Sequence, residues 1–183
     1  MNFLLSISIQ LIGIVILIFS NINFLSILPV VVKPIEIIDS MFNEIEQDLI
    51  YLNAPPDNLN QLINAIRLAS HSTNIDHKLI TSLMYTESNF KLKAIGPQNK
   101  TNIRYKGLMQ TPVASWYSDV DTLHGARILE DKLKFSKHDL KLALALYKGG
   151  NNNIAKKQAD QVLKIYQDLQ TYSNDQTFEN DEE

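Results

Sequence analysis

The 183-residue sequence predicts a mainly α fold, in which one helical domain is preceded by an N-terminal transmembrane helix. Three observations lead there. Apolar residues recur at the three- and four-residue spacing of amphipathic helices along most of the chain. No run alternates apolar and polar residues as a half-buried strand would. Residues 2–32 carry no charged side chain at all.

That charge-free segment, residues 1–32, is the first element. Its centre, LIGIVILIF at residues 11–19, is strongly apolar, and about 20 such residues, at ~1.5 Å each, cross a bilayer core of about 30 Å. A cleaved signal peptide is the competing reading. It lacks support, because no basic residue precedes the apolar run and no small-residue cleavage pattern follows it. A retained anchor is favoured. Lys33, the only basic residue nearby, leans towards a cytoplasmic body by the positive-inside rule.

Residues 33–56 read as a short acidic amphipathic helix ended by Pro55 and Pro56, which cannot continue a helix, and so as a spacer. Residues 57–171 form the expected domain. Within it Leu59, Leu62, Ile63, Ile66 and Ala69 share one helical face, and Asp76 is the expected N-cap of a second helix ending near Ser88. Residues 91–106 hold Gly96, Pro97 and the cluster Lys91, Lys93, Lys100, Arg104 and Lys106, and they read as an exposed loop with a solvated basic face. Further helices are expected near residues 123–134, 139–147 and 154–169, followed by a disordered acidic tail at 172–183.

Composition excludes several functions. A net charge of −3 without any basic stripe argues against nucleic-acid binding. The absence of cysteine removes disulfides, thiolate zinc sites and a cysteine nucleophile. His71, His77, His124 and His138 lack ligand spacing and read as surface or capping residues, so no metal or cofactor is expected.

One carboxylate stands out. On the helix beginning after Asp76, the inward stripe is Leu79, Ile80, Leu83 and Met84, and Glu87 lies eight, seven, four and three residues beyond them. It therefore projects from the core-facing side. Partial removal from water disfavours a charged carboxylate, and the raised pKa suits a general acid near neutral pH. The same spacing is compatible with a helix-terminal Glu that reaches solvent, or with a buried Glu paired to Arg67 or Arg104.

ESNF at residues 87–90, GLMQTP at 107–112 and ALALYKGG at 143–150 together resemble, in order and approximate spacing, the three motifs of the SLT family of lytic transglycosylases. The resemblance covers roughly residues 58–170 and implies a lysozyme-like domain that cleaves peptidoglycan glycan strands. It implies Glu87 as the catalytic acid and Ser88, Met109, Gln110 and Tyr147 as substrate-binding residues. HGARILEDKL at 124–133 is similar to the family's Gly-Ala-x-Tyr-Leu helix, with Ile128 in place of Tyr. Lys148 stands where the family has Asn, which implies a cation near Glu87 that would lower its pKa if it points into the site. Gly96 stands where the family has Ser, and the connection before Gly107 is longer than usual.

A hydrolytic glycosidase normally uses two carboxylates about 5 to 9 Å apart. Asp119, Asp121 and Glu130 are the nearest candidates for a second, though each reads more simply as a loop, cap or surface residue. The chemistry implied by the resemblance needs one: Glu87 protonates the glycosidic oxygen and then accepts a proton from the muramic acid C6 hydroxyl, which closes a 1,6-anhydro ring. Trp116 and Tyr117 read as sugar-stacking or core residues. The expectation is a membrane-anchored transglycosylase outside the cytoplasmic membrane, where its substrate lies, serving an unidentified envelope machine. A goose-type lysozyme-like hydrolase, and a non-catalytic glycan-binding or assembly protein of an envelope machine or phage, are the alternatives.

Overall fold

The computed structural model describes residues 28–98, 102–113 and 115–180. The chain forms two compact units, Met1–Ser40 and Met41–Glu183. In the first, residues 28–40 are helical, within helix α1 (Leu28–Tyr51). The expected membrane span falls almost wholly outside the described residues, and among those described no helix is long and apolar enough to cross a membrane.

The second unit is mainly helical. After α1 and a 3-10 turn at Pro56–Asn58 come α2 (Leu59–Thr73) and α3 (His77–Ser88), a ribbon of β1 (Ile95–Gln98) and β2 (Arg104–Lys106), then α4 (Ser118–Phe135), α5 (Leu140–Tyr147) and α6 (Asn153–Asn180). Helix α2 packs on α3 and α4, α4 on α5, and α6 on both α3 and α5. The predicted stripes meet at the centre: Leu62, Ile63 and Ile66 of α2, Ile80, Leu83 and Met84 of α3, and Leu129, Leu144 and Val162 of the later helices are fully buried.

Helix α3 has well-defined ends. Asp76 accepts a hydrogen bond from the Lys78 N–H at 2.8 Å, as an N-cap does. At the other end Asn89 adopts a left-handed φ of 50° and its N–H donates to the Tyr85 carbonyl. Phe90 follows at φ 61°, an uncommon conformation for a bulky side chain. Complete burial of Phe90 and its tilted contact with the Tyr85 ring, 5.6 Å between centroids, offset that strain. The Asn and Phe of ESNF are thus the reversal that plugs the helix end into the core.

Three expectations give way. The stretch read as a spacer contributes Ile45 and Leu49, both fully buried, to the core; its apolar face is buried against the domain it was expected to hold at a distance. The loop at 91–106 contains an antiparallel ribbon, pairing Ile95 with Lys106 and Gln98 with Arg104, with an irregular register between them. Pro97, which has no N–H to donate, sits in that interval and hides the strand from a pattern search. Helix α6 continues to Asn180 instead of ending near residue 169. Its extra turns are tethered, with Tyr172 stacked on Tyr51 and Ser173 accepting a 2.6 Å hydrogen bond from Lys78.

Candidate active site

A cleft of about 740 Å³ lies between the end of α3, the ribbon, the turn before Thr111 and the end of α5. Helix α6 packs against both α3 and α5 and sets their ends side by side. Glu87 comes from the last turn of α3, Tyr147 is the final residue of α5, and Lys148 is its C-cap. Tyr105 and Ile95 of the ribbon line another part of the wall. Among the described residues that line the cleft, Glu87 is the sole carboxylate.

Glu87 is paired, and its partner is neither Arg67 nor Arg104. Lys148 Nζ lies 2.9 Å from Glu87 Oε1, with 6% of the lysine and 14% of the glutamate side-chain surface exposed. The same ammonium donates to Thr86 Oγ1 at 2.9 Å. Burial raises the Glu87 carboxyl above its ordinary 4.5, and the charge and hydrogen bond of Lys148 oppose this without cancelling it. Tyr147 is pushed well above its ordinary 10.0, first by burial and then by the Glu87 charge, so its phenol is a neutral donor. Its hydroxyl donates to the Met109 carbonyl at 2.8 Å.

The Gly-Leu-Met-Gln segment is a tight turn. Lys106 and Thr111 exchange backbone hydrogen bonds of 3.0 and 3.1 Å across it, and Gln110 closes it at a left-handed φ of 46°. Gln110 Nε2 donates to the Ala94 and Gly107 carbonyls at 3.3 and 2.9 Å, which uses both amide protons and leaves Oε1 as its free polar atom. A Cβ at Gly96 would stand 2.4 Å from that Oε1, so the glycine at the serine position makes room for this orientation of Gln110. Met109 is fully buried and does not line the cleft; a Cβ at Gly125 would lie 2.4 Å from Met109 Cβ, and the glycine lets α4 approach the turn closely. The side chain expected to touch substrate instead anchors the turn from behind. Ser88 lines the cleft but is largely buried, its hydroxyl donating to the Met84 carbonyl at 3.1 Å.

Most of the other singled-out residues lie elsewhere. Asp121 is buried and accepts from the Ser115 N–H and hydroxyl, Asp119 accepts from the Val120 N–H, and Glu130 pairs with Lys134. Lys106 stands 5.9 Å over the Trp116 ring, and neither Trp116 nor Tyr117 lines the cleft. Lys91 does line it. His77 is no surface residue: it is largely buried near Glu44 and Asp48, and its Nε2 makes no hydrogen bond. Among the described residues no cluster of His, Asp or Glu could hold a metal ion. Sequence reasoning missed Thr86 and the ribbon wall, for which it offered no local signal.

No family model and no curated protein matches the chain. A solved structure of an inactive mutant of lytic transglycosylase Slt from Pseudomonas aeruginosa is similar to it, at a TM-score of 0.50 and 16% identity. The likeness is one of fold. It covers 61% of this chain and 24% of that one, so the chain spans about a quarter of the protein it resembles.

Proposed function

We propose that the protein is a peptidoglycan lytic transglycosylase. The supporting observation is Glu87: the sole carboxylate among the described cleft residues, largely withdrawn from water and raised in pKa by burial. A single acid in that state suits a reaction in which one group serves first as acid and then as base. Glu87 protonates the oxygen between N-acetylmuramic acid and N-acetylglucosamine as the C1–O bond breaks. The resulting carboxylate takes the proton of the muramic acid C6 hydroxyl, whose oxygen bonds to C1 and closes the 1,6-anhydro ring. The N-acetyl carbonyl of the sugar stabilises the charge developing at C1. Tyr147 and Gln110 hold the wall beside the reacting bond, and no cofactor enters. The apolar residues 1–32 anchor the enzyme, and the domain works outside the cytoplasmic membrane.

The test is to incubate the full chain with peptidoglycan and weigh the products. Ends bearing 1,6-anhydro-muramic acid are expected, and Glu87→Gln is expected to lower release by at least about a hundredfold. Reducing ends would instead indicate a hydrolase, and intact strands that remain bound would indicate a glycan-binding protein. Unchanged turnover in Glu87→Gln would remove the assignment of the acid.

A further inference from the structure

We propose that Lys148 is a positioning residue for the reaction of Glu87: it occupies one carboxyl oxygen, assigns the transferable proton to the other, and supplies the counter-charge when that proton leaves. The inference rests on the reading of Glu87 as the acid. Its geometric basis is a three-residue clamp. Lys148 Nζ donates to Glu87 Oε1 and to Thr86 Oγ1, each at 2.9 Å. The Thr86 hydroxyl donates its own proton to the Leu83 carbonyl at 2.9 Å, so its lone pairs are turned to the ammonium. The ammonium is therefore steered by a neighbour within α3 itself. The oxygen facing the ammonium is the one on which negative charge is best stabilised and a proton least favoured, which leaves Oε2 as the donor atom.

The clamp acts in both halves of the reaction. When Oε2 gives its proton to the glycosidic oxygen, the new carboxylate forms beside a cation already in place, so little reorganisation accompanies the transfer. When the C6 hydroxyl returns a proton, it returns to Oε2, and Glu87 ends as it began. Among the described residues, the other titratable or charged groups around the cleft are Tyr85 from α3, Lys91 after it, Tyr105 from β2 and Tyr147 from α5, while α6 contributes the neutral Gln158. Of these described residues, Lys148 alone touches the Glu87 carboxyl with a charge. It makes Glu87 a stronger acid and a weaker base than burial alone would.

A structural ion pair and a positioning one differ in how turnover depends on pH. Lys148→Met keeps the buried stem and removes the charge. Its turnover relative to wild type is expected to be lowest at the acid end of the profile and to rise about tenfold or more towards the alkaline end, because Glu87 then keeps its proton to higher pH. Lys148→Arg is expected to restore the wild-type profile in part. Thr86→Val keeps the pair and removes the steering acceptor, so it is expected to tilt the profile the same way by less, and it decides the matter if Lys148→Met does not fold. A ratio to wild type that is flat with pH in both variants would overturn the inference. Glu87→Gln in the same assay separates the two ideas: if that variant remains active, the reading of the acid has failed rather than the role of Lys148.

Discussion

Glu87 is an acid kept where its charge is unwelcome, and the sign of that perturbation has a measurable consequence. Its carboxyl is raised in the folded state above the ordinary 4.5, mainly by burial. A raised acid favours the folded state while protonated, so the stability it contributes is full below pH 4.5 and is lost as pH rises through the folded value. Glu87→Gln removes that dependence. The variant is expected to gain in melting temperature relative to wild type as pH rises from below 4.5 to neutral. A difference that moves the other way would show that Lys148 outweighs burial. Placement of the acid on a buried stripe was legible from Leu79, Ile80, Leu83 and Met84, because helical spacing is local. The nearness of Lys148 was legible only through the family resemblance, which sets that lysine beside Glu87; helical spacing does not show it, since the contact joins two helix ends that α6 brings together.

Among the elements, α1, α3 and α6 are joined by a buried polar pin. Asp48 is fully buried and takes hydrogen bonds of 2.9 and 3.0 Å from Lys78, which also reaches Ser173. Desolvation pushes Asp48 up from 3.8 to about 6 despite Lys78, so the pairing does not fully offset its burial. Burial likewise holds the neighbouring His77 below its ordinary 6.5. Asp48→Asn, which leaves Lys78 buried without a counter-charge, is expected to cost about 3 to 5 kcal/mol at neutral pH. Asp48→Leu combined with Lys78→Met is expected to recover most of that loss in denaturant unfolding. A double variant no more stable than the single one would show that the pin specifies the packing of the three helices. The pin was not legible in the sequence, because Asp48 and Lys78 stand 30 positions apart and charged side chains are mostly exposed unless paired. The helices α2 to α5 were legible, since their stripes and caps are local; the ribbon was not, since strand pairing is defined across its loop and Pro97 breaks the pattern.

At the scale of the molecule, the second compact unit begins at Met41, while the sequence reading put a boundary at residue 57. Ile45 and Leu49 are fully buried, and burial of such side chains contributes about 1.5 to 3 kcal/mol each. Their sum, with the loss of Asp48 opposite Lys78, is comparable to the whole stability of a small domain, about 5 to 15 kcal/mol. A chain beginning at Met41 is therefore expected to unfold cooperatively in near-ultraviolet circular dichroism, and one beginning at Asp57 to lose that transition. Equal transitions would show that α1 is dispensable. The arrangement also decides which wall of the cleft can yield. Helix α3 is fastened at its first turn by the pin and beyond its last by Phe90, so the acid rides on a stationary floor. The ribbon opposite has exposed Ile95 and Tyr105 and a short, irregular ladder, the features of a segment that opens cheaply. On the proposed function, a glycan strand entering sideways would meet a fixed floor that carries the acid and a ribbon wall able to give way.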